Sequence, residues 1–213
     1  MKTKISILAI LIASFAIISC NNSKNENKDM TVDNVDTEQA VEYQLILDKS
    51  VVNWSGSMSG LYGHTGTLEF KDGLLMIQNE KVVGGNFIVD MNSMLTTDAD
   101  ANYAMASREK LIEHLQSDDF FATSEFPTSS FEISGPSGDN LVGKLTIRGN
   151  TNDELIENVV VQDNGDEFTI TGNLTFDRQK YGVAYSTGMT DKILSDEIEL
   201  DIVLTVRKSD LMK

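Results

Sequence analysis

His114 to Phe131 reads HLQSDDFFATSEFPTSSF, and here an otherwise strand-like chain changes rhythm. A helical turn runs into an Asp pair, two Phe and a Pro, and a new strand starts at Phe131. Phe120, Phe121, Phe126 and Phe131 are four of the chain's nine Phe, a density that requires an apolar environment, either a packed core or a cavity. Adjacent side chains on an extended strand point to opposite faces. Phe120 is therefore expected to face inward, with Phe121 pinning the helix to its support.

Upstream, Thr96 to Gln116 is the segment that does not alternate. Ala104, Ser107, Leu111 and Leu115 recur at helical spacing, with Arg108, Glu109, Lys110 and Glu113 on the other side. That pattern predicts a helix of about three turns, ended by Ser117 or Asp118. Strand alternation surrounds it. Phe87, Val89 and Met91 alternate with polar or outward residues, as do Leu145 and Ile147, then Phe168, Ile170, Leu174 and Phe176, then Ile198, Leu200, Ile202 and Leu204. Turn signals stand at Asp72-Gly73, at Pro136 to Asn140 and at Asn164-Gly165, and the Gly- and Ser-rich run Ser55 to Gly66 suits a bend or an irregular strand. The fold class is all-β: an antiparallel lipocalin-like barrel of about eight strands with one helical insertion. Glu197, Glu199 and Asp201 on one strand, and Thr169 to Asp177 on another, deny the outer face the apolar band of a membrane barrel.

The N-terminus carries a separate message. Lys2 and Lys4 precede an apolar run, Ile5 to Ile18, too short to span a bilayer comfortably and flanked like an export signal. The run ends at the chain's single cysteine, Cys20, and resembles a lipoprotein processing site. Residues 1–19 are then the signal peptide, Cys20 the lipidated N-terminus, residues 20–42 a flexible polar tether and residues 43–213 the barrel. One cysteine excludes a disulfide framework. A net charge of −16 opposes nucleic-acid binding and docking on anionic lipid by charge, leaving the acyl anchor as the membrane attachment.

The catalytic inventory is thin. His64 lies in a Gly-flanked bend, where a turn residue bonded to backbone is the plain alternative to a ligand, and His114 suits a helix C-terminus. Asp118-Asp119 reads as a solvated turn and cap rather than an acid–base pair. No metal-ligand spacing or phosphate loop is present, so neither a metal nor a cofactor is expected.

Six segments in order resemble the YceI-like family: VNWSGSMSGLYGHTGTLEF (52–70), GGNFIVDMNSM (84–94), HLQSDDFFATSEFPTSSFEI (114–133), LVGKLTIRGNT (141–151), FDRQKYGVAYSTG (176–188) and DEIELDIVL (196–204). Asn152 to Ile156 departs from the family's Pro-containing apolar strand. The resemblance implies a periplasmic, lipocalin-like barrel whose cavity holds a long hydrophobic amphiphile of isoprenoid, quinone or fatty acyl type. It implies a cavity wall of Trp54, Leu68, Phe70, Phe87, Val89, Phe120, Phe131, Leu145, Ile147, Phe168, Ile170, Phe176 and Leu200, with His64, Arg148, Arg178 and Tyr181 as head-group candidates at the mouth. It also implies binding rather than catalysis. Asn21 after Cys20 resembles the sorting signal for the outer membrane, facing the periplasm, and a homodimer is compatible with the sequence. The alternatives are a filled barrel serving a structural or stress role, and a lipid-modifying enzyme acting through His64 or His114.

Overall fold

A computed structural model of the chain describes residues 30–35, 39–58, 62–103, 106–186, 188 and 194–208. The leader and Cys20 lie outside the described residues. The strands are β1 (Val41–Gln44), β2 (Val51–Met58), β3 (Tyr62–Gln78), β4 (Lys81–Thr96), β5 (Thr128–Ser137), β6 (Asn140–Ile147), β7 (Asn150–Asp163), β8 (Glu167–Asp177) and β9 (Leu194–Arg207). The helix α1 (Arg108–Gln116) lies between β4 and β5. β2 to β9 pair antiparallel in chain order, and β2 pairs with β9 to close an eight-stranded barrel. β1 continues the position of β2: it pairs with the far end of β3, and Leu45 bridges to Val206. A 3-10 turn over Leu47–Lys49 interrupts this stave.

Alternation in the sequence becomes alternation in burial. Phe168, Ile170, Leu174 and Phe176 are buried along β8, as are Ile198, Ile202 and Leu204 along β9, while Glu197, Glu199 and Asp201 stand exposed between them. One face of β8 and of β9 is therefore inside, as a barrel wall requires.

Two expectations change. Asp72-Gly73 is not a hairpin turn. β3 runs through it, with the register slipping by one residue between Phe70 and Asp72, a bulge of the kind that bends a long strand. The turn comes at Asn79 and Glu80, both at positive φ (50° and 61°), which matches the primed turns of two-residue hairpins. The helix is also shorter than its pattern. β4 keeps its pairing to Thr96, a 3-10 turn occupies Asp100–Tyr103, and Ser107 caps α1, its side chain accepting from the Lys110 N–H at 3.4 Å. Ser117 ends the helix, and its hydroxyl donates to the His114 carbonyl at 2.7 Å. Ser55 to Gly66 forms the arms of the β2–β3 hairpin, with the register against β9 shifting between Gly56 and Met58; the hairpin tip, 59–61, lies outside the described residues.

The two ends of the barrel differ. At the end carrying the Asn79-Glu80, Gly138-Asp139 and 164–166 turns, Leu75, Ile133, Leu141, Ile156, Ile170 and Leu204 pack until only about 10 Å³ is left between them. Asp33 lies against this closed end: its N–H donates to the Pro136 carbonyl at 2.7 Å and its carboxylate accepts from the Gly138 N–H at 2.9 Å. At the opposite end sit α1, the Arg148-Gly149 turn and the segment after β8.

Polar ties hold that open end together. Arg178 is buried, donating to the carbonyls of Ser195 (3.0 Å) and Val183 (2.6 Å) and pairing with Asp196 at 2.8 Å. Asn150 and Asn152 donate to the carbonyls of Tyr181 and Lys180 at 3.1 and 3.3 Å. Asn152, where the sequence leaves the family pattern, thus helps to hold the turn after β8.

Candidate functional site

The open half of the barrel encloses a cavity of about 430 Å³, within the range of small-molecule sites. Its wall is built from inward residues of β2, β3, β4, β5, β6, β8 and β9, among them Val52, Trp54, Leu68, Phe87, Val89, Phe131, Leu145 and Phe176. Two glycines make room for the largest rings. A methyl at Gly66 would meet the Trp54 ring at 2.4 Å, and one at Gly143 would meet the Phe131 ring at 2.3 Å. Phe131 in turn stacks on Phe87, with centroids 5.5 Å apart.

The roof is supplied by α1 and by the HLQSDDFF passage. Leu111, His114 and Leu115 border the cavity from the helix, and Phe120 and Phe121 border it from the turn that follows. Both Phe reach it because Asp118 to Phe121 is a turn, not an extended strand, so the alternation argument does not apply to the pair. Their rings meet edge-on at 5.0 Å. His114 sits between Phe120 (5.7 Å) and Tyr185 (4.5 Å). The Asp pair is exposed.

Ten of the thirteen wall residues named from the sequence border the cavity: Trp54, Leu68, Phe87, Val89, Phe120, Phe131, Leu145, Ile147, Phe176 and Leu200. Phe70, Phe168 and Ile170 do not. Phe70 packs edge-on to Phe87, Phe168 to Tyr43, and Ile170 belongs to the closed end. Alternation selects the inner face but carries no height along the barrel axis, which is why these three were indistinguishable from the rest.

Of the four head-group candidates only His64 borders the cavity. Arg148 is turned away, donating to the carbonyls of Phe120 (2.5 Å) and Gly182 (3.1 Å). Arg178 is committed to the ties described above. Tyr181 is wholly buried and donates to Glu154 at 3.0 Å; burial first, then the Glu154 carboxylate, push its phenol well above the usual tyrosine range. Met91, Met94, Leu174, Ile198 and Ile202 also border the cavity, and all but Met94 carried the alternation signal. Tyr185, in a loop, carried none.

A polar latch holds the strap between β4 and α1 across the mouth. The Asp98 carboxylate accepts from Tyr103 (2.5 Å) and Asn102 (3.0 Å) and lies 2.9 Å from His64 Nδ1 on β3. Arg108 donates to the Asp98 carbonyl and to Thr96 Oγ1, and its guanidinium lies over the Tyr103 ring at 4.2 Å. Burial alone would raise the Asp98 carboxyl; the hydrogen bonds from Tyr103, His64 and Asn102 outweigh it and hold the group well below the usual carboxylate range. A depressed carboxylate stabilises the fold above its unfolded-state value of about 3.9, and that contribution is lost as pH falls through the folded-state value. Asp98→Asn is therefore expected to lower the denaturation midpoint near neutral pH by the equivalent of about 2 kcal/mol. The gap to wild type should shrink progressively as pH falls below about 4; a gap constant with pH would show that the charge of Asp98 contributes nothing.

Among the described residues no cluster of three or more His, Cys, Asp or Glu could hold a metal ion. The site is thus an apolar chamber with a few polar groups at its roof.

The YceI-like domain profile matches residues 43–206, the whole barrel. This chain belongs to the YceI-like family. Curated relatives include UPF0312 proteins of Staphylococcus aureus: that of strain bovine RF122 / ET3-1 is 32% identical over 141 residues, spanning 60% of this chain and 82% of the relative. That of strain USA300 is 33% identical over the same spans. Among solved structures, BcnA of Burkholderia cenocepacia superposes with a TM-score of 0.57 at 20% identity, over 76% of this chain and 98% of BcnA. A polyisoprenoid binding domain from Saccharophagus degradans, implicated in plant cell wall breakdown, superposes with a TM-score of 0.53 at 15% identity, over 78% and 97%. At these identities the structures establish a shared fold.

Proposed function

We propose that this YceI-like protein binds a long hydrophobic amphiphile, its chain in the barrel cavity, and carries or sequesters it in the cell envelope as a lipoprotein anchored through Cys20. The observation that carries the binding reading is the cavity itself: about 430 Å³ enclosed mainly by aliphatic and aromatic side chains, in a barrel whose other half is packed solid. A filled barrel with a structural role would have no reason to leave one half open. Burial of ten methylene groups in such a chamber contributes about 8 kcal/mol, near micromolar affinity before the costs of immobilisation. No directional chemistry is needed for that. Isoprenoid, quinone-type and fatty acyl chains all fit this description, and the polyisoprenoid-binding relative in fold supports the first.

Native mass spectrometry tests the reading. Protein purified gently from cells, or supplemented with envelope lipid extract, is expected to retain one added mass of a lipid. Val89→Trp, which fills the chamber from β4, is expected to reduce that occupancy at least about tenfold while the barrel stays folded. Apo protein under all conditions would overturn the reading. Incorporation of an alkyne-bearing palmitate analogue, lost in Cys20→Ser, tests the anchor, and fractionation then tests the outer membrane as its destination. Turnover of a bound lipid that disappears on replacing His64 by Ala would substitute an enzyme for a carrier.

A further inference from the structure

The chain enters the barrel at the packed end, opposite the cavity. β1 begins there: Val41 pairs with Ile77, just before the Asn79-Glu80 turn. The segment upstream meets the same end. The Asp33 N–H donates to the Pro136 carbonyl at 2.7 Å, and the Asp33 carboxylate accepts from the Gly138 N–H at 2.9 Å. Val32 lies beside them in space left by a missing side chain, since a methyl at Gly135 would stand 2.4 Å from its Cγ1. Two hydrogen bonds and a side-chain contact thus clip Val32 and Asp33 to the turn between β5 and β6. β3 and β4 stand between β1 and β5, so Asp33 and Val41 meet the packed end at separate points of its rim.

The consequence of the clip is one of length. Val41 lies twenty-one residues after Cys20, and Asp33 only thirteen. Drawn straight, these stretches reach at most about 74 Å and about 46 Å. The eleven residues of β8 run the barrel from one end to the other; at about 3.3 Å each and a tilt of about 40°, they make a wall about 28 Å high. To turn its mouth toward a bilayer holding Cys20, the barrel would need the leash to run that height and then pass round the rim. Twenty-one residues do this with slack. Thirteen do it only when drawn nearly straight, which costs chain entropy.

We infer that Val32 and Asp33 orient the barrel: the clip keeps the packed end toward the bilayer that carries the Cys20 anchor and the cavity mouth away from it. The ligand then enters and leaves on the side facing away from the anchoring bilayer. This rests on the anchor proposed above and gives it a direction.

The full lipidated chain, reconstituted in phosphatidylcholine vesicles, tests it. Energy transfer to a headgroup-labelled lipid is measured from a maleimide dye on Asp166→Cys, in a packed-end turn, or on Asp119→Cys, at the roof; both positions are exposed. The dye at position 166 is expected to transfer at least about twofold more efficiently, because about 28 Å of wall separates the two ends. Adding Asp33→Ala should bring the ratio toward one. In Asp33→Ala alone, hydrogen exchange in the turn around Gly138 should quicken about fivefold, the factor a lost net hydrogen bond supplies; that readout needs neither dye nor membrane. Equal or reversed transfer with Asp33 intact, a ratio unmoved by Asp33→Ala, or unchanged exchange at the turn would each overturn the inference, while protein that still floats with the vesicles leaves the anchor reading in place. Protein that does not float with the vesicles overturns both.

Discussion

Gly66→Ala is expected to cost about 3 kcal/mol or more of unfolding free energy, although it adds a single methyl group. Gly66 has no need of unusual backbone angles; its constraint is space. It pairs with Trp54 on β2 and Thr96 on β4, and an added Cβ would lie 1.8 Å from the Leu95 carbonyl oxygen and 2.4 Å from the Trp54 ring. The ring could shift into the cavity, but the carbonyl belongs to the β4 backbone and is held by the barrel. Denaturant unfolding followed by the emission of Trp54 measures both consequences at once: a lowered midpoint, and an altered native-state spectrum as the indole is displaced. A midpoint within experimental error of wild type would show that the β3–β4 contact is looser than it stands.

Phe131→Ala is the second large effect, expected to cost about 3 kcal/mol. Phe131 is 1% exposed, stacks on Phe87 and covers Gly143 across the β5–β6 ladder. Removing the ring merges its volume with a cavity that is already open, so the wall cannot collapse around the loss. The ring borders existing space on one side, which places the cost at the lower end for a phenylalanine. The same variant should accept a bulkier chain than wild type, read as a shift in the masses retained in native spectra. A loss below about 1 kcal/mol would mean that the ring packs against less than its burial indicates.

These two sites show how far the sequence could be read. The inner face was legible in strict alternation: Phe87 and Val89, Leu145 and Ile147, Phe176 and Leu200 were all named as wall residues and all border the cavity. The reason is geometric, since a strand has two faces and a barrel buries one. The glycines opposite the rings were not legible as such. Gly66 belonged to a Gly- and Ser-rich run that suited a bend, and its role appears only when Trp54 is laid across it from the neighbouring strand.

The polar groups were the hardest to read. Arg148, Arg178 and Tyr181 were assigned to a ligand head group because a cation or phenol near a strand end suits one. All three are instead spent on the protein's own carbonyls and carboxylate. A hydrogen-bonding side chain has no periodicity, and its partner is chosen by whichever unsatisfied group the fold brings near. His114 shows the converse: read as a helix terminus, it turns out to border the cavity.

By itself, then, the sequence determined the all-β class, the inward faces, the helical insertion and the YceI-like family, because each follows from local spacing or from ordered motifs. Only the tertiary structure decided that HLQSDDFF is a turn placing both Phe120 and Phe121 on the cavity, and that one end of the barrel is packed and the other open. Those features depend on height along the barrel axis and on contacts between strands distant in sequence, and neither is encoded in the spacing of residues along one strand.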